Sequence, residues 1–115
     1  MGFTIELRRV VSKARTGRVA GTGPALGVIE RIVEDGELHA AVKRLGVYRL
    51  PTLAGLDPYR NTTLRATAVD EMVGEIERSG LEGLQGVERE VLATLLEWGR
   101  RCRGDRALVI GFVGD

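Results

Sequence analysis

Phe3-Thr4-Ile5-Glu6-Leu7 near one end of the chain and Ala107-Leu108-Val109-Ile110-Gly111-Phe112-Val113 near the other decide the fold. In the first, apolar Phe3, Ile5 and Leu7 alternate with Thr4, Glu6 and Arg8, the two-residue period of a strand buried on one face, and the pattern runs on toward Val11. The second is a short, nearly unbroken apolar run that reads as another strand. Two strands are marginal alone, so they are expected to pair and to be covered by whatever lies between them. The fold class that follows is α+β: a small sheet containing the N- and C-terminal strands, covered by three to four helices.

Between the strands, helical spacing dominates. Leu26, Ile29, Ile32 and Val33 recur at three- and four-residue intervals after Pro24, which predicts a first helix over 24–35 ended by Gly36. Leu38, Ala41, Val42 and Leu45 predict a second, with Glu37 at its start and Lys43 and Arg44 at its end, where the helix dipole favours them. Thr67 is the expected N-cap of a third helix, with Asp70 three residues on in place of the usual Glu of a capping box, and Val69, Met72, Val73 and Ile76 as its stripe. Val87, Val91, Leu92, Leu95, Trp98 and Cys102 make the longest stripe, stopped by Gly104. Val87, Val91, Leu95 and Trp98 are therefore expected to share a core with Val69, Val73 and Ile76, while Glu88, Arg89 and Glu97 stay wet. Residues 17–24, with three glycines and a proline, read as a loop, and short strands within 47–56 are compatible with the pattern.

The chain has 115 residues, which suits a single domain over 1–115, and a net charge of +1. One cysteine excludes an internal disulfide, and no early apolar segment or membrane-length run is present, so a cytoplasmic, non-membrane protein is expected. The charge is uneven. Arg8, Arg9, Lys13, Arg15 and Arg18 lie between Leu7 and Ile29 without an acid, and Arg100, Arg101, Arg103 and Arg106 face only Asp105 in sequence. If the terminal segments pair, these arginines could form one surface for phosphate or nucleic acid, although no groove-reading helix or aromatic interleaving accompanies them.

Motifs for chemistry are sparse. Gly21 to Gly27 reads Gly-Thr-Gly-Pro-Ala-Leu-Gly, but Leu26 stands where a dinucleotide fingerprint needs glycine, and no Gly-Lys-Ser/Thr ending follows. A zinc site built on Cys and His ligands is excluded by count, since His39 and Cys102 are single; His39 reads as a partly buried helical residue and Cys102 as a core hydrophobe. Neither Ser12 nor Ser79 sits in a nucleophile elbow, and the acids Asp70, Glu71, Glu75 and Glu77 lack the spacing of a calcium loop. No cofactor, metal or catalytic residue is expected.

The best case for a site lies in Leu50 to Leu64, Leu-Pro-Thr-Leu-Ala-Gly-Leu-Asp-Pro-Tyr-Arg-Asn-Thr-Thr-Leu. Pro51 and Pro58 restrict φ, Asp57 before Pro58 starts a turn, and Asn61, Thr62 and Thr63 can bond their own backbone, so the loop can be rigid without being regular. Asp57, Tyr59, Arg60 and Asn61 would then be presented together, an aromatic and a bidentate donor of the kind that anchor protein partners. The other reading is a structural crossover in which Asp57 caps a turn and Tyr59 is buried.

At this segment the chain resembles a group of small uncharacterised bacterial proteins, frequent in actinobacteria. They carry an apolar-Asp-Pro-Tyr-Gly-Asp-Thr stretch mid-chain, two helices and an ending close to Phe-x-Gly-Asp. The matches are Leu56, Asp57, Pro58, Tyr59 and Thr62, then Phe112, Gly114 and Asp115, while Arg60 and Asn61 replace the group's Gly and Asp. The resemblance spans roughly residues 50–115 and implies no activity; it is similar to the accessory and immunity-like proteins that bacteria encode in many small versions. The functional expectation is a non-catalytic cytoplasmic protein-binding module, immunity- or antitoxin-like. The alternatives are a small carboxylate-dependent hydrolase or metal-dependent enzyme using Asp57 with Asp70 or Asp115, and nucleic-acid binding through the arginine-rich ends.

Overall fold

The alternation at Phe3 to Leu7 becomes strand β1 (Thr4–Val10), and the apolar run near the C-terminal end becomes the last strand (Leu108–Val113). These two pair antiparallel, Ile5 opposite Phe112 and Leu7 opposite Ile110. A computed structural model describes residues 2–10 and 26–114. The predicted loop over 17–24, the Gly21–Ala25 part of the glycine-rich motif, Ser12, Lys13, Arg15, Arg18 and Asp115 lie outside the described residues.

The remaining elements are β2 (Leu26–Val33), α1 (Glu37–Leu45), α2 (Pro51–Ala54), β3 (Thr62–Leu64), α3 (Thr67–Ser79) and α4 (Gly86–Gly104), which makes the last strand β4. The four strands form one antiparallel sheet in the order β2-β1-β4-β3. Ile5, Leu7, Ile110 and Phe112 enter a single buried cluster with the apolar stripes of α1, α3 and α4. The α+β architecture, with both terminal strands in the sheet and helices on one face, is as the sequence implies. Phe3 meets Phe112 edge to face at 5.8 Å, a contact that ties the two ends together and adds about 0.5–1.5 kcal/mol beyond burial.

The helix expected over 24–35 is instead β2. Leu7 pairs with Glu30 and Arg8 with Val28, so Ile29 is an extra residue in a β-bulge. Ile32 and Glu30 share the helix-covered face with their partners Ile5 and Leu7, whereas beyond the bulge Val28 faces the other side with Arg8. The apolar residues at helical spacing lie on both faces of the strand, Ile32 toward the helices, Val33 75% exposed on the other side and Ile29 in the bulge, so their spacing imitates a helix without marking one buried face. The β-branched Val28, Ile29, Ile32 and Val33 suit a strand. Gly36, expected to end that helix, stands before α1 instead.

Two cap and face assignments also change. Helix α3 starts at Thr67 itself, Ala66 occupies the N-cap position without a side-chain bond, and the Asp70 carboxylate is taken by Arg106 at 3.1 and 3.2 Å. Leu95, Trp98, Val69, Val73 and Ile76 are all buried together as expected, but Val87 is 50% exposed. At 100° per residue Val87 stands about 80° from Leu95, on the flank of the α4 stripe, while Glu88 falls about 20° from it. Glu88 is accordingly half-buried and bonded to Arg44 of α1 at 2.8 Å, while Arg89 and Glu97 are exposed.

On the sheet face away from the helices, Glu6 is buried between Arg8 (2.7 Å) and Arg31 (2.8 Å). Burial pushes its carboxyl pKa up, but the hydrogen bonds and charges of the two arginines outweigh this and hold it below the ordinary value. A pKa depressed by folding contributes stability that is present above the unfolded value and lost as the pH falls through the folded one. In urea melts, Glu6→Gln should therefore narrow the stability lost on acidification below about pH 4. An unchanged acid limb would show that the triad does not sense pH.

Candidate functional site

The carboxylate that follows β2 frames the site. Glu34 is buried and accepts three backbone N–H groups, from Phe3 (2.6 Å), Gly36 (3.0 Å) and Leu38 (2.8 Å). It thereby caps the first turn of α1 and fixes that helix against the start of β1. A second buried carboxylate, Glu75 of α3, accepts the N–H (3.0 Å) and hydroxyl (2.9 Å) of Thr52 and so holds the single turn of α2. Helices α1 and α2 are thus pinned by two charges on which the sequence patterns were silent.

Between them opens a largely apolar cleft of about 310 Å³. Leu38, His39 and Val42 of α1 form one wall, Leu53 and Ala54 of α2 the other, and Leu56, Pro58 and Tyr59 close the mouth. Phe3, Glu34, Gly36 and Val47 complete the lining. Glu34 brings no free acceptor, since its oxygens serve the backbone. His39 is exposed at the rim rather than partly buried, because it lies on the solvent side of the Leu38–Ala41–Val42 stripe. The volume suits one or two apolar side chains more than an extended cofactor.

The loop at the mouth is ordered by its own polar groups. Asp57 accepts the N–H of Tyr59 at its side chain (2.9 Å) and that of Arg60 at its carbonyl (3.0 Å), the turn expected of Asp before Pro. The Arg60 guanidinium lies 3.6 Å from the same carboxylate and stays largely exposed. Asn61 Oδ1 accepts the N–H of Gly114 (3.1 Å), and a Cβ on Gly114 would collide with the carbonyls of Pro58 and Arg60. Only glycine lets the chain after β4 press this closely on the loop. The two stretches that carry the resemblance, around Asp57–Thr62 and Phe112–Gly114, therefore touch.

Of the four residues expected at a partner site, Asp57 and Asn61 spend their side chains on the loop, whereas Tyr59 is 65% exposed and Arg60 is exposed. The loop is thus scaffold and display at once: two residues set the conformation in which the other two are presented. Sequence reasoning missed the cleft walls, because Leu38 and Val42 read only as a core stripe.

The other candidates are used up locally. Asp70 belongs to α3, where the hydrogen bond from Arg106 holds its carboxyl below the ordinary range and Arg103 adds to the effect. It lines a different depression from the cleft, beside Glu71 and Arg78. Among the described residues no group of three His, Cys, Asp or Glu side chains is placed to hold a metal ion. Burial pushes the Cys102 thiol up to about 11, which leaves it inert as a nucleophile at neutral pH. The described arginines of the two ends are paired: Arg8 with Glu6, Arg9 with Asp105, Arg100 with Glu77, Arg101 with Glu30, and Arg103 and Arg106 with Asp70. No helix among the described residues is long and apolar enough to cross a membrane. Set against protein-family models, curated proteins and solved structures the chain matches none, so the cleft and its loop carry the functional reading by themselves.

Proposed function

We propose that this chain is a non-catalytic cytoplasmic protein-binding module, immunity- or antitoxin-like, and that it seats an apolar side chain of a protein partner in the cleft beside Tyr59. The observation that carries this reading is an exposed aromatic ring on a hydrogen-bonded turn at the mouth of an apolar cleft. A loop already ordered loses little entropy on binding, and an aromatic beside an arginine is the usual composition of an anchor. The sites expected of the alternatives supply less: Asp57 is committed to its turn and an arginine, and the described terminal arginines to acids.

The test is a calorimetric titration of a partner recovered by affinity capture, using variants of the loop. Tyr59→Ala and Arg60→Ala should each weaken the complex by about 2 kcal/mol or more, roughly thirty-fold, while the thermal midpoint stays nearly unchanged. A large loss of stability for Tyr59→Ala with affinity unaltered in the folded fraction would reduce the loop to scaffold and end the proposal.

A further inference from the structure

Beyond the cleft, on the far side of the turn that follows α1, lies a notch that none of the foregoing uses. The Arg49 N–H donates to the Gly46 carbonyl (2.9 Å), closing a turn that points Val47 at the cleft and places Tyr48 and Arg49 at the notch. The notch has a volume of about 310 Å³, and Arg78 and Ser79, from the end of α3, form its other side. Pro51 and Glu75 complete it. We infer that this notch is an anion subsite for a phosphoryl group, held by Arg49 and Arg78.

Two observations bear on it. Most described arginines are paired with acids, but neither Arg49 nor Arg78 makes an ion pair or a side-chain hydrogen bond with another described residue, and the two line the same depression. The Arg78 guanidinium also folds back over Gly74, where a Cβ would stand 3.1 Å from Nη1, which places it between this notch and the depression beside Asp70 and Glu71.

The charge balance selects the ligand. Glu75 also borders the notch, though both its oxygens serve Thr52, and the C-terminal end of α3 adds a partial negative charge of about one half. Either arginine alone would leave the notch about half a charge negative, whereas the two together leave it about half a charge positive. Two guanidinium forks match the three acceptor oxygens of a phosphoryl group better than the two of a carboxylate, which a single fork already satisfies. Tyr48, 95% exposed at the rim, offers a ring to whatever organic group bears the phosphate. These residues are distinct from the cleft, so the subsite stands or falls apart from the protein-docking proposal.

The experiment is a titration of the full chain with inorganic phosphate, followed by proton–nitrogen NMR of backbone and arginine Nε groups at constant ionic strength, with chloride as reference. Saturable shifts are expected at Arg49, Arg78 and Ser79, and Arg49→Ala or Arg78→Ala should each raise the dissociation constant roughly ten-fold or more. Ser79→Ala should leave the phosphate titration unchanged and the thermal midpoint unchanged or higher, because it removes a buried, orphaned hydroxyl. Tyr59→Ala should leave the titration untouched. Phenyl phosphate run in parallel separates the sources: tighter binding than inorganic phosphate assigns the group to a larger molecule carried over Tyr48, and equal binding assigns it to free phosphate. Shifts that never saturate, that spread equally to Arg65 and Arg89, or that survive in the Arg49→Ala/Arg78→Ala double variant would overturn the assignment.

Discussion

Trp98→Ala is expected to cost about 3–5 kcal/mol, the range for emptying a well-packed aromatic site, and so to remove a large part of a total stability of about 5–15 kcal/mol. Trp98 is fully buried on the α4 stripe beside Leu95, itself buried. Its indole N–H donates to Glu30 of β2 at 3.3 Å, and the other oxygen of Glu30 accepts from Arg101 at 2.6 Å. The ring therefore both fills the core and ties the longest helix to an edge strand. Trp98→Phe separates the two roles: it keeps most of the apolar bulk and loses the hydrogen bond, so its cost should be nearer 1–2 kcal/mol. Urea unfolding read by circular dichroism measures both variants. A cost below about 1 kcal/mol for Trp98→Ala would mean that the core can collapse around the loss, contrary to the packing seen.

Glu34→Ala is expected to cost about 3 kcal/mol or more, although no apolar contact is lost, because it leaves three backbone donors without their acceptor and two of those are buried. The damage should be local as well as global. Amide hydrogen exchange at Phe3 and Leu38 should speed up more than exchange in α4, since those N–H groups are the ones deprived. Because Glu34 also forms part of the cleft wall, the variant should weaken partner binding in the folded fraction, whereas Trp98→Ala should not. Retention of native exchange protection at Phe3 and Leu38 in Glu34→Ala would show that water or another group takes over the capping.

How much of this was legible beforehand differs by element. The stripes of α1, α3 and α4 and the alternation in β1 report burial on one face of a periodic element, a property local to each segment, and they were read with the right type and nearly the right bounds. β2 departs from the helix expected over 24–35 because its apolar residues fall on both faces of an edge strand, and its place beside β1 is a property of the pairing, not of the segment. The turn at Asp57 was legible for the opposite reason: Asp-Pro acts on its own backbone within three residues.

The functional surfaces divide along the same line. The sequence by itself determined that Tyr59 and Arg60 stand on a loop stiffened by Pro58 and Asp57, and that no nucleophile, zinc or dinucleotide motif is written in the chain. Only the tertiary structure decided that this loop closes an apolar cleft between α1 and α2, that Glu34 and Glu75 hold the walls in place, and that Arg49 and Arg78 share a notch while most other arginines find acids. The physical reason is range. Periodicity and turn chemistry act over a few bonds along the chain, whereas a cleft, a buried cap reaching from residue 34 to residue 3, and the pairing of Arg101 with Glu30 depend on which segments packing brings together.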